Sequence, residues 1–277
     1  MDSTSSFEPL PAAEGGPSHT RRLGDTSRRA AGPWTPTIHA LLRHLEKAGF
    51  TGSPRVLGDG FAEPDGAPAA GPGGAEEVLT WIEGDIVHPH AWPSEDAVHR
   101  VGRMLHDLHT AGSTFEPPPD AQWQPWWMHR SGPDSVIGHC DAGPWHVVAR
   151  NGEPVAFIDW TLAGPVDRLD EVAATAWWHA QLHDDDVAAR HALPDPDTRA
   201  RQVRAFLDGY ELPRNDRARL VTRMIEIAIR DCAAEAARAG ITPESADPGP
   251  LWSLAWRARA ADWMIRHRTL LEQAVTG

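Results

Sequence analysis

The stretch 138–160, near the middle of the chain, constrains the fold more than any other part of the sequence. In it two apolar segments flank Asn151-Gly152, which is a strong signal for a tight hairpin turn. Asp141 precedes the first of these segments, and Asp159 directly follows the second. The pattern predicts a β-hairpin that delivers both carboxylates to the same end.

Around this hairpin the chain divides into a mixed first part and a helical second part. The first part has a helical pattern over 36–49, two short apolar stretches at 55–58 and 77–82 separated by a loop at 64–75, and a helix from Ser94 to near Gly112. Residues 1–33 are rich in Ser, Gly, Pro and Arg, and we expect partial disorder or a frayed hairpin there. Beyond Leu169, helical spacing recurs over 171–183, 198–210, 214–240 and 250–274.

Composition and charge exclude several classes of protein. The formal net charge of −13 argues against a nucleic-acid partner, because a phosphate backbone demands a basic surface. No apolar run approaches the roughly 20 residues of a membrane span, and residues 1–33 lack the apolar core of a signal peptide. We therefore expect a cytoplasmic protein without a membrane partner. The oligomeric state stays open.

The two aspartates of the hairpin suit phosphoryl transfer. This reaction needs one carboxylate to orient the attacking hydroxyl and another to hold magnesium against the nucleotide phosphates. A carboxylate at the end of an apolar strand can ligate a hard cation, since magnesium takes oxygen ligands. Asp141 and Asp159 are thus candidates for these two roles.

The same stretch resembles the catalytic loop of the aminoglycoside phosphotransferase and choline kinase superfamily. His139 and Asp141 match its His-x-Asp motif, and Ile158-Asp159-Trp160 matches its Ile-Asp-Phe/Trp segment. The resemblance extends over residues 15–270, with Glu171 where a structural Asp of the family stands. It implies an α+β, two-lobed protein-kinase-like fold with a reduced β-rich N-terminal lobe and a mainly helical C-terminal lobe.

The family roles imply a catalytic Asp141, a His139 that braces the loop, and an Asp159 that binds Mg²⁺ together with ATP or GTP. His146 stands where the family has an Asn that holds a second metal ion. An imidazole can bind a metal, although it matches zinc or manganese better than magnesium. We therefore predict Asp159 and His146 as the metal ligands.

The nucleotide side departs from the family more strongly. Lys47 is the only lysine among 26 basic residues and lies at the far end of a helix, so it cannot grip the nucleotide phosphates. Arg28 or Arg29 is the expected substitute. Trp81 and Glu83 lie in a segment that resembles the hinge between lobes, which sets the domains at 1–84 and 85–277. The segment 14–18 provides only a weak phosphate loop.

The acceptor cannot be identified from the sequence. We place Trp160, Trp177 and Trp178 in a substrate pocket, and the acidic run 184–186 would suit a polycationic acceptor or form a solvated loop. His106 and His109 are interpreted as a solvated helix face rather than as a zinc pair.

The leading hypothesis is a kinase that moves the γ-phosphoryl group of ATP or GTP to a hydroxyl of a small molecule, such as an antibiotic or a biosynthetic intermediate. The alternatives are a pseudokinase scaffold that binds a partner or peptide without turnover, and a kinase of a biosynthetic peptide. A metal-dependent hydrolase built on His139, Asp141, His146 and Asp159 is a further alternative.

Overall fold

A four-stranded antiparallel sheet and one helix form the N-terminal lobe of this computed structural model, which describes residues 20–62, 75–89 and 91–277. The strand order is β1-β2-β4-β3, with β1 at Arg21–Leu23, β2 at Thr26–Ala30, β3 at Val56–Ala62 and β4 at Glu76–Thr80. Helix α1, Thr35–Lys47, follows β2 and buries its apolar face. The predicted helix and the paired strands are confirmed. The segment 14–18 and residues 64–74 of the predicted loop lie outside the described residues.

Three short strand pairings and a long helix form the first part of the C-terminal lobe. Strand β5, Asp85–Ile86, pairs with β7, Val147–Arg150, which forms the predicted hairpin with β8, Glu153–Phe157. Strand β6, Ser135–Gly138, pairs with β9, Gly164–Asp167. Between β5 and β6 in sequence lies α2, Glu95–Gly112, which begins where the Ser94 hydroxyl accepts a hydrogen bond from the Ala97 amide.

Six further helices complete the C-terminal lobe within the described residues. They are α3 at Arg168–His179, α4 at Asp185–Arg190, α5 at Pro196–Tyr210, α6 at Arg214–Arg238, α7 at Pro248–Arg266 and α8 at Arg268–Thr276. The prediction of one helix over 250–274 was wrong, because the chain breaks at His267 into α7 and α8. The acidic run was also misassigned as a loop, since Asp184 caps α4 and the next two aspartates lie in its first turn.

One hydrophobic core runs through the molecule and fixes the hairpin in place. It joins α1, α2, α3, α5, α6 and α7 to the strands of the hairpin, with Phe157 and Trp160 fully buried beneath the loop that carries Asp141. The predicted kinase-like fold, with a small β-rich N-terminal lobe and a helical C-terminal lobe, is confirmed. Among the helices that the structure describes, none is long and apolar enough to cross a membrane.

Candidate active site

His139 ties the loop of Asp141 to the strand end that carries Asp159. The imidazole is fully buried, and its Nε2 lies 2.9 Å from the carbonyl oxygen of Ile158. Burial lowers the pKa of His139, so the ring is neutral and donates this hydrogen bond. The bond connects the two halves of the site through the backbone, and the bracing role of His139 stays a prediction.

Glu171 holds the same loop from below. Its Oε1 accepts a 2.6 Å hydrogen bond from the amide of Cys140, a residue with a positive φ of 63°. Its Oε2 lies 2.7 Å from His109 Nε2, and both side chains are buried. Gly138 makes this approach possible, because a Cβ there would overlap the Glu171 carboxylate. The interpretation of His109 as a solvated residue was therefore wrong.

Both oxygens of Asp141 face hydrogen-bond donors. The indole of Trp145 donates to Oδ1 over 3.1 Å, and His146 Nδ1 lies 3.2 Å from Oδ2. The same nitrogen lies 3.0 Å from the carbonyl oxygen of Asp141. Only 8% of the Asp141 side chain is exposed. The carboxylate is thus held in a fixed orientation beside His146.

His146 lies between the two aspartates. Its Nε2 is 3.7 Å from Asp159 Oδ2, while its Nδ1 faces Asp141. Burial opposes the charge on the ring, but the charges of Asp141 and Asp159 raise the pKa of His146 to about 9. In the absence of another cation, the imidazole therefore carries a proton between the carboxylates.

Asp159 follows β8 in a left-handed conformation with φ 57°, and its Oδ1 accepts a 2.7 Å hydrogen bond from the hydroxyl of Thr161. Burial works against ionisation of this side chain. The charges of Arg29 and His146 nevertheless hold the pKa of Asp159 well below its usual range. Asp159 is therefore an ionised carboxylate that faces the N-terminal lobe.

Arg29 reaches across from the N-terminal lobe to this carboxylate. Its Nη1 lies 2.5 Å from Asp159 Oδ1 and 2.6 Å from the Thr161 hydroxyl, and its Nε contacts Glu77. Glu77 is the cross-strand partner of Arg29 on β4, and its Oε1 lies 3.1 Å from Nε2 of His39 in α1. Of the two predicted arginines, Arg29 is thus the one at the site. Arg28 precedes Arg29 on β2. Because successive side chains of a strand point to opposite faces, the Arg28 side chain lies on the other face of the sheet.

Trp81 and Glu83 lie in the connection between β4 and β5. The Arg22 guanidinium lies 5.1 Å from the Trp81 ring centroid and also pairs with Glu83. The carbonyl of Glu83 accepts a 2.8 Å hydrogen bond from Arg150 of β7. These contacts attach the connection to both lobes. A nucleotide role for Trp81 and Glu83 stays a prediction.

The tryptophans placed in the substrate pocket are core residues in this structure. Trp160 and Trp177 have no exposed surface, and Trp178 is 4% exposed. They fill the space between the loop that carries Asp141 and the helices, so they do not line an open pocket. Trp145 and Trp126 are better placed, since the Trp126 indole donates to the carbonyl of Cys140 and Trp145 contacts Asp141 itself.

The acidic run is neutralised by arginines. Asp184 pairs with Arg259 and Arg266, and Arg259 also contacts Asp186. The indole of Trp263 donates to Asp185. These carboxylates therefore have local cationic partners, which removes the reason for expecting them to hold a polycationic acceptor.

Several residues of the site were missed in the sequence. Glu77 and His39 fix Arg29, and Trp145 orients Asp141. His179 is another, because its Nε2 lies 2.8 Å from the carbonyl oxygen of Ala142, next to Asp141. Glu77 alone gave a usable signal: it is a charged residue within an apolar segment predicted to be a strand.

At the site, a histidine and a carboxylate lie where they could hold one metal ion. Over the part of the chain that the structure describes, no group of three or more His, Cys, Asp and Glu side chains is arranged to hold an ion. Asp159 Oδ2 and His146 Nε2 face each other, so these two atoms could share one ion whose remaining ligands come from phosphates and water. The Arg29 guanidinium could donate to a nucleotide phosphate through Nη2, since its Nε and Nη1 already contact Glu77, Asp159 and Thr161.

The chain is similar to known proteins in sequence and in fold. It is 45% identical over 262 residues to the trifolitoxin immunity protein of Rhizobium leguminosarum bv. trifolii, which covers 94% of this chain and 96% of that protein. No family model matches it.

Among solved structures, an amicoumacin kinase in complex with AMP-PNP and Ca²⁺ is similar in fold, with a TM-score of 0.61, 14% identity, and coverage of 86% of this chain and 81% of that one. A choline/ethanolamine kinase family protein from Mesorhizobium loti gives a TM-score of 0.56, 16% identity and coverage of 93% and 88%. An aminoglycoside phosphotransferase from Alicyclobacillus acidocaldarius gives 0.54, 17% identity and coverage of 92% of both chains.

Proposed function

Because this chain belongs to the trifolitoxin immunity protein family and has the fold of aminoglycoside phosphotransferases and choline kinases, we propose that it is a phosphotransferase that protects cells by modifying a toxic small molecule. The reaction moves the γ-phosphoryl group of ATP or GTP to a hydroxyl of that molecule. The immunity role rests on the relative's name, and the chemistry rests on the site.

The observation that carries the chemistry is the convergence of three charged groups from two lobes. Asp141 and Asp159 lie at one end of the hairpin. Arg29 extends from β2, and its Nη1 lies 2.5 Å from Asp159 Oδ1. In this proposal Asp141 orients the acceptor hydroxyl and takes its proton, and Arg29 binds the nucleotide phosphates. Asp159 and His146 hold a divalent ion, which when bound supplies positive charge to those phosphates.

We propose that the nucleotide binds between residues 1–84 and 85–277, beside the Trp81–Glu83 connection, and that the acceptor enters on the side of Trp145. A nucleotide donor would place the reaction in the cytoplasm.

The test is transfer of phosphate to trifolitoxin by the purified protein, with mass spectrometry of the toxin after incubation with ATP or GTP and Mg²⁺ or Mn²⁺. Asp141→Asn should lower the rate by about 10²–10⁴-fold, because the amide cannot accept the hydroxyl proton. Asp107→Asn, a change of an exposed carboxylate on α2, is the matched control and should leave the rate unchanged.

A second candidate is a scaffold that binds the toxin without turnover. The cationic groups on both aspartates, His146 between them and Arg29 on Asp159, favour it, since the carboxylates are already neutralised. Protection of toxin-sensitive cells separates the two functions. Cells that express Asp141→Asn should lose protection if the protein is a kinase and keep it if the protein is a binding scaffold.

A further inference from the structure

The nitrogen atoms of His146 have separate tasks. Nδ1 lies 3.0 Å from the carbonyl oxygen of Asp141. A carbonyl oxygen only accepts hydrogen bonds, so Nδ1 carries a hydrogen and donates it. In the neutral ring this tautomer leaves the lone pair on Nε2, the nitrogen that faces Asp159. Such a hydrogen bond to the distal nitrogen is the usual way in which proteins orient a metal-binding imidazole.

The spacing between Nε2 and Asp159 Oδ2 is that of two ligands rather than that of a donor and an acceptor. The distance of 3.7 Å is too long for a hydrogen bond. It is compatible with one ion about 2.1 Å from each atom. The other oxygen of Asp159 is already engaged by Arg29 and Thr161, so Oδ2 is the atom available to an ion.

We infer that His146 and Asp159 share one divalent ion of the first transition series, and that the site prefers such an ion to Mg²⁺. Mg²⁺ takes oxygen ligands and retains water, whereas an imidazole nitrogen favours transition ions. The inference rests on the proposed function, because nucleotide phosphates complete the coordination. It adds the identity of the ion to that function.

The alternative occupant of this position is a proton on Nε2, which would make His146 a fixed cation in place of a metal. The two occupants differ in what they bring to the site. An ion shared with the nucleotide leaves when the nucleotide leaves, whereas the imidazolium stays. They also differ spectroscopically, since only a metal-bound nitrogen couples to the electron spin of the ion.

Pulsed electron paramagnetic resonance on Mn²⁺ decides between them. Metal-free protein is loaded with AMP-PNP and Mn²⁺, and the spectrum is measured for wild type with natural and with ¹⁵N-labelled histidine. We expect a histidine nitrogen coupling that changes with the label. His146→Asn should abolish the coupling, whereas His99→Asn, at an exposed position on α2, should retain it.

Competition titrations with Mg²⁺ measure the preference in the same samples. The ratio of Mn²⁺ to Mg²⁺ affinity should fall about 10-fold or more in His146→Asn, whose amide oxygen suits Mg²⁺. Nucleotide and Mn²⁺ binding without any histidine coupling in wild type would overturn the inference and leave the phosphotransferase proposal standing. Failure of wild type to bind nucleotide with either ion would overturn both.

Discussion

The two lobes build their halves of the site in different ways. In the C-terminal lobe, Asp141 and Asp159 lie on loops whose backbone groups are held directly: His139 binds the carbonyl of Ile158, and Glu171 binds the amide of Cys140. In the N-terminal lobe, the functional group of Arg29, its guanidinium, is held by side chains. Its partners Glu77 and Asp159 lie 48 and 130 residues away in the chain.

This difference has a consequence for stability. A loop held by buried backbone hydrogen bonds is part of the folding core, so weakening it should destabilise the whole C-terminal lobe. An arginine between two carboxylates fixes charge and position at the surface between lobes. Replacing Arg29 should therefore first weaken ligand binding and the contact between the lobes.

The largest effect is expected at Glu171. Glu171→Ala leaves the Cys140 amide and the His109 ring without their acceptor in a buried site, and should lower the free energy of unfolding by about 3–5 kcal/mol. Chemical denaturation measures this loss. Glu171→Gln keeps one acceptor oxygen and is the matched control, with a smaller loss. Equal stability of the alanine variant and wild type would contradict the view that this loop belongs to the core.

A smaller effect, of a different kind, is expected at Arg29. Arg29→Met removes the cation from Glu77, which is 2% exposed, and should lower the free energy of local unfolding of the N-terminal lobe by about 3 kcal/mol. Nucleotide binding by calorimetry should be lost, while hydrogen exchange of α3 and α6 stays as in wild type. Arg29→Lys keeps the charge but cannot contact Glu77, Asp159 and Thr161 together, and should recover binding only in part. Unchanged nucleotide affinity in Arg29→Met would remove Arg29 from the site.

The same difference explains how much the sequence could predict. The hairpin and its two aspartates follow from local signals, because alternation, an Asn-Gly turn and a strand end are read within a few residues of one another. An arginine from the segment before α1 was also predicted, because Lys47 cannot reach the site, but Arg28 and Arg29 stayed alternatives. What selects Arg29 over Arg28 is the register of β2 against β4, and a single sequence does not specify that register.

The errors have physical causes as well. Tryptophans near a catalytic motif were assigned to a pocket, whereas Trp160 and Trp177 contribute more as buried surface beneath it. His109 was assigned to solvent because its helix is amphipathic, and yet it lies on the buried side and contacts Glu171. The break at His267 was missed because apolar spacing continues across it in α7 and α8.

The smallest effect is expected at His179, whose ring joins the Trp92 indole to the backbone of the loop that carries Asp141. The Trp92 indole donates to His179 Nδ1 over 2.9 Å, so Nε2 carries the hydrogen that is donated to the carbonyl of Ala142. His179→Phe leaves the Trp92 indole and the Ala142 carbonyl without this partner, and should lower the free energy of unfolding by about 2 kcal/mol at neutral pH.

The pH dependence of this variant tests whether the relay is neutral. Burial lowers the pKa of His179 to about 4, against the opposing hydrogen bond to Ala142. The unfolded chain takes up a proton near pH 6.5 that the folded protein takes up only near pH 4, so wild-type stability falls as the pH drops through this window. His179→Phe should lose that contribution, which makes its decline shallower by up to about 1.4 kcal/mol per pH unit. His99→Phe, at an exposed position, should keep the wild-type slope. A variant slope equal to that of wild type would show that His179 is not held neutral, and the C-terminal half of the site would then depend on charge as the N-terminal half does.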